Sequence, residues 1–190
     1  MSYKDLKSFQ QGTIVYDFTV EFCHRYINPS DQTDMPNKSY RTADQMVQAA
    51  RSGKQNIAEG SSERSKKSEL HLLGIARASF QELLEDYEDF LRQRGLNQWT
   101  KNDAETIAIR QLSYKSNRSY MTYRSYLDKP ETAANVAICL IHQTNFLLDQ
   151  QIKSLEKQFI AVGDYSEKLT HQRNEQKKKE IINRFWRKFQ

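Results

Sequence analysis

The strongest constraint on the fold is an alternation of three- and four-residue steps between apolar side chains, kept up over two long stretches. Leu73, Ala76, Phe80, Leu83, Tyr87 and Phe90 follow it within a helix expected from Ser65 to Arg94. Ile141, Leu148, Ile152, Leu155, Phe159 and Val162 follow it within another, from Pro130 to Val162. This spacing gathers the apolar groups on one narrow stripe of a helix, which is the seam of a bundle. At 1.5 Å per residue each helix is about 45 Å long. Two more helices have matching stripes. Thr13–Ile27 carries Val15, Phe18, Phe22 and Tyr26, and Tyr40–Glu59 carries Ala43, Met46, Ala50, Gly53 and Ile57. The small residues Ala50 and Gly53 let a neighbouring helix come close. An all-α, antiparallel up-down four-helix bundle is expected over residues 1–165.

Composition supports narrow seams over a large spherical core. Hydrophobic residues are 37% of the chain and the mean hydropathy is −0.86. Six glycines and three prolines are too few for a loop-rich or all-β chain. No apolar run approaches the ~18 residues of a membrane span. The opening MSYKDLKSFQQ has no apolar signal segment, so a cytoplasmic protein is expected. Cys23 and Cys139 lie far apart and form no metal-binding spacing; neither a metal nor a cofactor is expected.

Glycine and proline mark the boundaries. Pro29 and Pro36 place a loop over Asn28–Lys38. Gly60, Gly95 and Gly163 each follow a helical pattern, where a left-handed residue ends a helix. Pro130 sits just inside a helix start, with Asp128 as expected N-cap and Glu131 completing a capping-box-like pair. Residues 103–126 read as an inserted helix, or two short ones, between the third and fourth long helices. Residues 166–190 read as a separate basic amphipathic tail helix. There Ile181, Ile182, Phe185, Trp186 and Phe189 share one face, close to Lys178, Lys179, Arg187 and Lys188.

The net charge of +5 is unevenly spread. Residues 1–109 carry −2, residues 110–129 carry +4, residues 130–163 carry −1 and residues 164–190 carry +4. Both positive segments contain aromatics, the pattern of a polyanion-binding surface. In the first, Arg110, Lys115, Arg118 and Arg124 interleave with Tyr114, Tyr120, Tyr123 and Tyr126. Cations there neutralise phosphates and tyrosines stack on unpaired bases. The competing reading is a helix with tyrosines against the bundle and cations in water. In the second, Lys177, Lys178, Lys179, Arg184, Arg187 and Lys188 flank the apolar face. Five large apolar residues exceed what phosphate binding needs, so Ile181, Phe185, Trp186 and Phe189 are assigned to docking on a partner or a neighbouring subunit.

The junction of the second and third helices reads Gln55-Asn56-Ile57-Ala58-Glu59-Gly60, then serines and basic residues, then Leu72 to Ser79 with Ile75-Ala76-Arg77, and Glu82-Leu83. It resembles the signature of the bacterial four-helix-bundle proteins of the 23S rRNA intervening-sequence type. The fourth helix, through Leu147-Leu148-Asp149-Gln150-Gln151, is similar to the branch called four helix bundle suffix domain proteins. The resemblance implies an up-down bundle able to assemble as a homopentameric barrel. A relative, the accessory variability protein of diversity-generating retroelements, is a basic pentamer that binds a reverse transcriptase and nucleic acid. The 103–126 insert, the basic tail and the nearly neutral bundle depart from that pattern.

Asn56, Glu59, Gly60 and Arg77 are read as a structural motif, with Asn56 and Glu59 capping or cross-linking the turn and Arg77 as ion partner. Glu82, Glu85, Asp86, Glu88 and Asp89 read as a solvated acidic face, since no Glu-x-x-His pair accompanies them. His24, His71, His142 and His171 are scattered, and no nucleophile-His-acid set is recognisable, so no catalytic residues are assigned. These features define a non-enzymatic, homo-oligomeric accessory protein that binds RNA or DNA. Its nucleic-acid contacts are assigned to Arg110, Lys115, Arg118, Tyr120, Tyr123, Arg124, Lys178, Lys179, Arg184, Arg187 and Lys188. The alternative is a protein-interaction scaffold whose tail docks on a partner, with no nucleic-acid role.

Overall fold

The computed structural model describes residues 2–27, 38–115 and 118–187. Six α-helices form: α1 (Lys7–Tyr26), α2 (Lys38–Ser62), α3 (Lys66–Gln93), α4 (Ala104–Leu112), α5 (Pro130–Val162) and α6 (Tyr165–Trp186). Short 3-10 helices occupy Tyr3–Asp5 and Tyr120–Asp128. The insert is therefore two short elements. The Asn28–Lys38 loop falls mostly outside the described residues, as do Lys188 and Phe189.

α1, α2, α3 and α5 form the bundle, and side-chain contacts fix its direction. Lys54 lies over the Tyr16 ring at 4.2 Å, Ser52 Oγ is 3.0 Å from Ser79 Oγ, and Arg77 Nε is 3.2 Å from Asp149 Oδ1. Ser8 Oγ donates to Gln151 Oε1 at 2.6 Å, while at the far end Tyr26 OH donates to the Leu127 carbonyl. These last two set α1 against α5, and paired contacts do the same elsewhere: Gly12 faces Ile57 while Tyr16 faces Lys54, Gly60 faces Leu72 while Ser52 faces Ser79, and Lys66 bonds Gln158 while Arg77 bonds Asp149, so neighbours run antiparallel.

The expected stripes are the core. Val15, Phe18, Phe22, Met46, Ala50, Ile57, Leu73, Phe80, Leu83, Tyr87 and Leu148 are all buried. Tyr87 takes its phenol into this interior because its OH donates to Thr19 Oγ1 at 3.0 Å, meeting the need of a buried hydroxyl. α1 starts at Lys7, six residues earlier than the stripe predicts, and buries Ser8 and Gln11 on the added turn.

Three expectations are corrected. Gly60 lies inside α2 and is buried; a Cβ there would meet Leu72 Cβ at 3.3 Å, so its role is close approach of α2 and α3. Of the described glycines, only Gly95 (φ 62°) and Gly163 (φ 71°) are left-handed. Asp128 does not cap α5: the N-cap is Lys129, with no side-chain bond. The α5 seam also ends early. Leu155 is buried, but Ile160 is 82% and Val162 54% exposed, beyond the level at which Gln151 meets Ser8 near the start of α1.

The N-terminal half of α5 shows the reverse. Every residue from Ala133 to Ile141 is buried, because α4 and the 3-10 helix pack against α5 on the side away from the bundle core. Asn135 pins the intervening loop: its Oδ1 accepts from Trp99 N at 2.7 Å, and its Nδ2 donates to the carbonyls of Asn97 at 2.8 Å and Glu131 at 2.9 Å. The tail helix begins at Tyr165, one residue before the expected boundary, and none of its described residues is buried. No helix among the described residues is long and apolar enough to cross a membrane.

Candidate functional site: a cationic cleft beside the bundle

Packing the insert onto α5 leaves a cleft of about 680 Å³. α1 contributes Lys7 and Gln11, the loop before α4 contributes Trp99 and Lys101, and α4 contributes Arg110. Tyr114 and Arg118 come from the segment after α4, and Asn135, Cys139, His142, Gln143 and Phe146 from α5. Among the described residues, four lining side chains are cations (Lys7, Lys101, Arg110 and Arg118) and none is a carboxylate. Confining like charges costs free energy that an incoming anion relieves.

The cleft is ordered by a chain of hydrogen bonds. Arg118 Nη1 donates to Gln11 Oε1 at 2.8 Å, and Gln11 Nε2 donates to Gln143 Oε1 at 3.3 Å. Gln11 is 1% exposed, so its amide has no recourse to bulk water. Gln143 Nε2 is buried with no hydrogen-bond partner. Arg110 Nη1 donates to the Lys101 carbonyl at 3.1 Å, which holds α4 to the preceding loop.

Aromatic groups surround the charges. Tyr114 is 89% and Phe146 62% exposed, while Trp99 is half-buried and packs on the core. Burial lowers the His142 imidazole below its ordinary pKa; Arg110 and Arg77 push the same way and Glu88 opposes them. It therefore sits in the cleft as a neutral ring at neutral pH. The Cys139 thiol is held protonated by burial, and Cys23, buried in the bundle, is pushed up to about 12. Neither is an activated nucleophile. Among the described residues no group of three His, Cys, Asp or Glu side chains stands close enough to hold a metal ion.

The assigned nucleic-acid residues divide. Arg110 and Arg118 meet in the cleft, although they are eight positions apart. Tyr123 is fully buried and its OH lies 3.4 Å from Arg118 Nη1, so it is no stacking platform: its ring belongs to the core between the 3-10 helix and the bundle. Tyr120 and Tyr126 also pack against that core. Lys115 and Arg124 are exposed and do not line the cleft. On α6, Lys178 pairs with Glu175 at 2.9 Å, while Lys179, Arg184 and Arg187 are exposed. The docking residues Ile181, Phe185 and Trp186 are 68%, 55% and 64% exposed.

The structural motif is built differently from the expectation. Asn56 Nδ2 donates to the Ser52 carbonyl at 2.9 Å and to Ser52 Oγ at 3.2 Å, so it braces α2 and not the turn. Arg77 takes Asp149 as its partner, and Glu59 is exposed and makes no ion pair among the described residues. The reason is register: Arg77 stands on the side of α3 that faces α5. Cleft residues without a sequence signal were Lys7 and Gln11, one turn apart on α1, and His142, which meets them only in space. Trp99-Thr100-Lys101 repeats the aromatic-cation pattern one segment upstream, and Phe146 is an aromatic off the α5 seam; both carried a readable signal.

These observations define an all-α bundle of four long helices with a cationic cleft walled by inserted elements. The family model for the 23S rRNA-intervening sequence protein matches residues 12–109, over half of the chain, and the protein belongs to that family. The matched span runs from α1 into α4 and holds the Asn56–Gly60 motif; Lys7, Arg110 and Arg118 lie outside it, as does α5. No curated protein and no solved structure matches the chain.

Proposed function

We propose that this protein is a non-enzymatic, homo-oligomeric accessory protein that binds single-stranded RNA or DNA. The observation that carries the reading is the cleft: four cations from four separate segments, with aromatic side chains and without a carboxylate. Cations release condensed counterions from a phosphate backbone, and exposed rings such as Tyr114 accept stacked bases. α6 carries further exposed cations, Lys179, Arg184 and Arg187.

Fluorescence anisotropy with single-stranded oligonucleotides across a salt series tests this. For three to four phosphate contacts, log K should fall against log salt with a slope of roughly −2 to −3. Exchanging Lys7, Lys101 and Arg110 for glutamine should flatten that slope and weaken binding by at least about tenfold. Binding unaffected by the triple exchange would remove the cleft from the reading.

The exposed apolar face of α6 favours a second reading, a scaffold whose tail docks on a partner or a neighbouring subunit. A native mass spectrum at low salt separates the two. Nucleic acid retained on an oligomer, pentameric if the resemblance holds, supports the first reading. An oligomer free of nucleic acid and dispersed by Trp186→Ala supports the second.

A further inference from the structure

The cleft has a size and a hydrogen-bond polarity that a strand-tracking groove does not need. From these we infer that it is a pocket for a nucleoside phosphomonoester, either a free nucleotide or the phosphorylated end of a strand. The inference deepens the nucleic-acid reading and rests on it for the base; the phosphate part stands on the cleft alone.

Polarity comes first. In the buried amide chain both oxygens have a donor: Gln11 Oε1 takes the Arg118 guanidinium and Gln143 Oε1 takes the Gln11 amide. What remains is a donor, Gln143 Nε2, buried and without a partner. A buried donor left unmade costs free energy that only an acceptor restores. Among the described residues, the cleft that Gln143 lines holds four cations and no carboxylate.

Charge decides between phosphate types. A diester carries one negative charge, whereas a phosphomonoester carries about −1.5 to −2 at neutral pH and presents three acceptor oxygens. Four cations drawn to one cleft match the dianion better. Their sources also converge from separate directions: the first turn of α1, the loop before α4, α4 itself and the segment after it. Cations drawn from four separate segments around one cleft suit a single dianionic group.

Size and apolar lining supply the nucleoside. A volume of about 680 Å³ lies within the ~300–1,000 Å³ range of small-molecule sites. It exceeds what a phosphate ion alone fills, and the indole of Trp99, the ring of Phe146 and the neutral His142 offer flat faces for a base.

Isothermal titration with uridine and adenosine 5′-monophosphates, uridine, adenosine and inorganic phosphate tests this, alongside anisotropy with one short RNA bearing a 5′-phosphate or a 5′-hydroxyl. The monophosphates should bind at least about tenfold more tightly than the nucleosides and than inorganic phosphate. The phosphorylated RNA should likewise bind more tightly than the hydroxyl form. Arg110→Gln should weaken the monophosphates about tenfold, the effect of losing one charge-assisted contact. Gln143→Glu, which turns the unpaired donor into a carboxylate, should abolish their binding while circular dichroism stays unchanged. If RNA binds regardless of its terminal phosphate and the monophosphates do not, the pocket is overturned and the strand-binding reading survives. If the monophosphates bind and RNA of neither form does, the pocket stands and the strand-binding reading falls. Inorganic phosphate binding as tightly as the monophosphates would overturn the nucleoside part.

Discussion

Asp164 Oδ1 accepts a hydrogen bond from the backbone N–H of Lys66 at 2.8 Å, so the residue that starts the tail helix also caps α3. Its other oxygen accepts from Ser65 Oγ at 3.0 Å and Ser166 Oγ at 2.8 Å. One carboxylate thus holds two helix N-termini, satisfying amide donors that otherwise lack partners. These bonds favour the charged form and hold the Asp164 carboxyl well below its ordinary value of 3.8.

Asp164→Asn is expected to lower the melting temperature at pH 7. A depressed folded-state pKa means the native state binds fewer protons, so the stabilisation is full above the ordinary value of 3.8 and fades as pH falls below it. Thermal melts of both proteins from pH 7 to pH 2 check this. Their difference should shrink only at the acid end.

Gly53 and Gly74 make a matched pair. A Cβ on Gly53 would stand 2.7 Å from the Phe80 ring, in a core where that ring is fully buried. Overpacking of this kind costs ~1–3 kcal/mol, more than the ~1 kcal/mol that alanine returns in a helix. Gly53→Ala should destabilise by up to about 2 kcal/mol. At Gly74 nothing lies within 4 Å, and Gly74→Ala should stabilise by about 0.5–1 kcal/mol. Urea denaturation of the two variants reads opposite signs.

Asp86 lies among Glu82, Glu85 and Asp89 on α3, and burial together with those neighbours pushes its carboxyl up to about 6. A raised folded-state value means the charged form is disfavoured in the native protein, a penalty complete above pH 6 and relieved as pH falls toward 3.8. Discounted for its partial exposure, the penalty is about 1 kcal/mol. Asp86→Asn should raise stability by that amount at pH 7 and by nothing below about pH 4. A matching gain at both pH values would sink the assignment.

Asn135 is 1% exposed and holds the loop that carries Trp99 and Lys101 through two hydrogen bonds, to Trp99 N and the Asn97 carbonyl. Asn135→Ala should cost about 2–3 kcal/mol, since it leaves buried backbone groups unmade. It should also weaken anion binding in the cleft without removing any cation. Hydrogen exchange of the Trp99 amide, faster in the variant, reports the release of the loop.

The bundle was legible because its cause is local periodicity. The seam from Leu73 to Phe90, the bounds of α5 at Pro130 and Val162, and the left-handed turns at Gly95 and Gly163 each depend on residues a few positions apart. Where one residue answers to two distant elements, that reading fails. Gly60 looks like a helix end until α3 is packed against it. Tyr123 looks like a stacking ring until the insert folds onto the bundle. Ala133 to Leu140 show no seam because they are covered on all sides. The helices and their apolar faces were thus determined by the sequence itself, through side-chain spacing on a 3.6-residue turn. The cleft was decided only by tertiary structure, because Lys7, Lys101, Arg110, Arg118 and Gln143 are brought together by helix packing and by no relation along the chain.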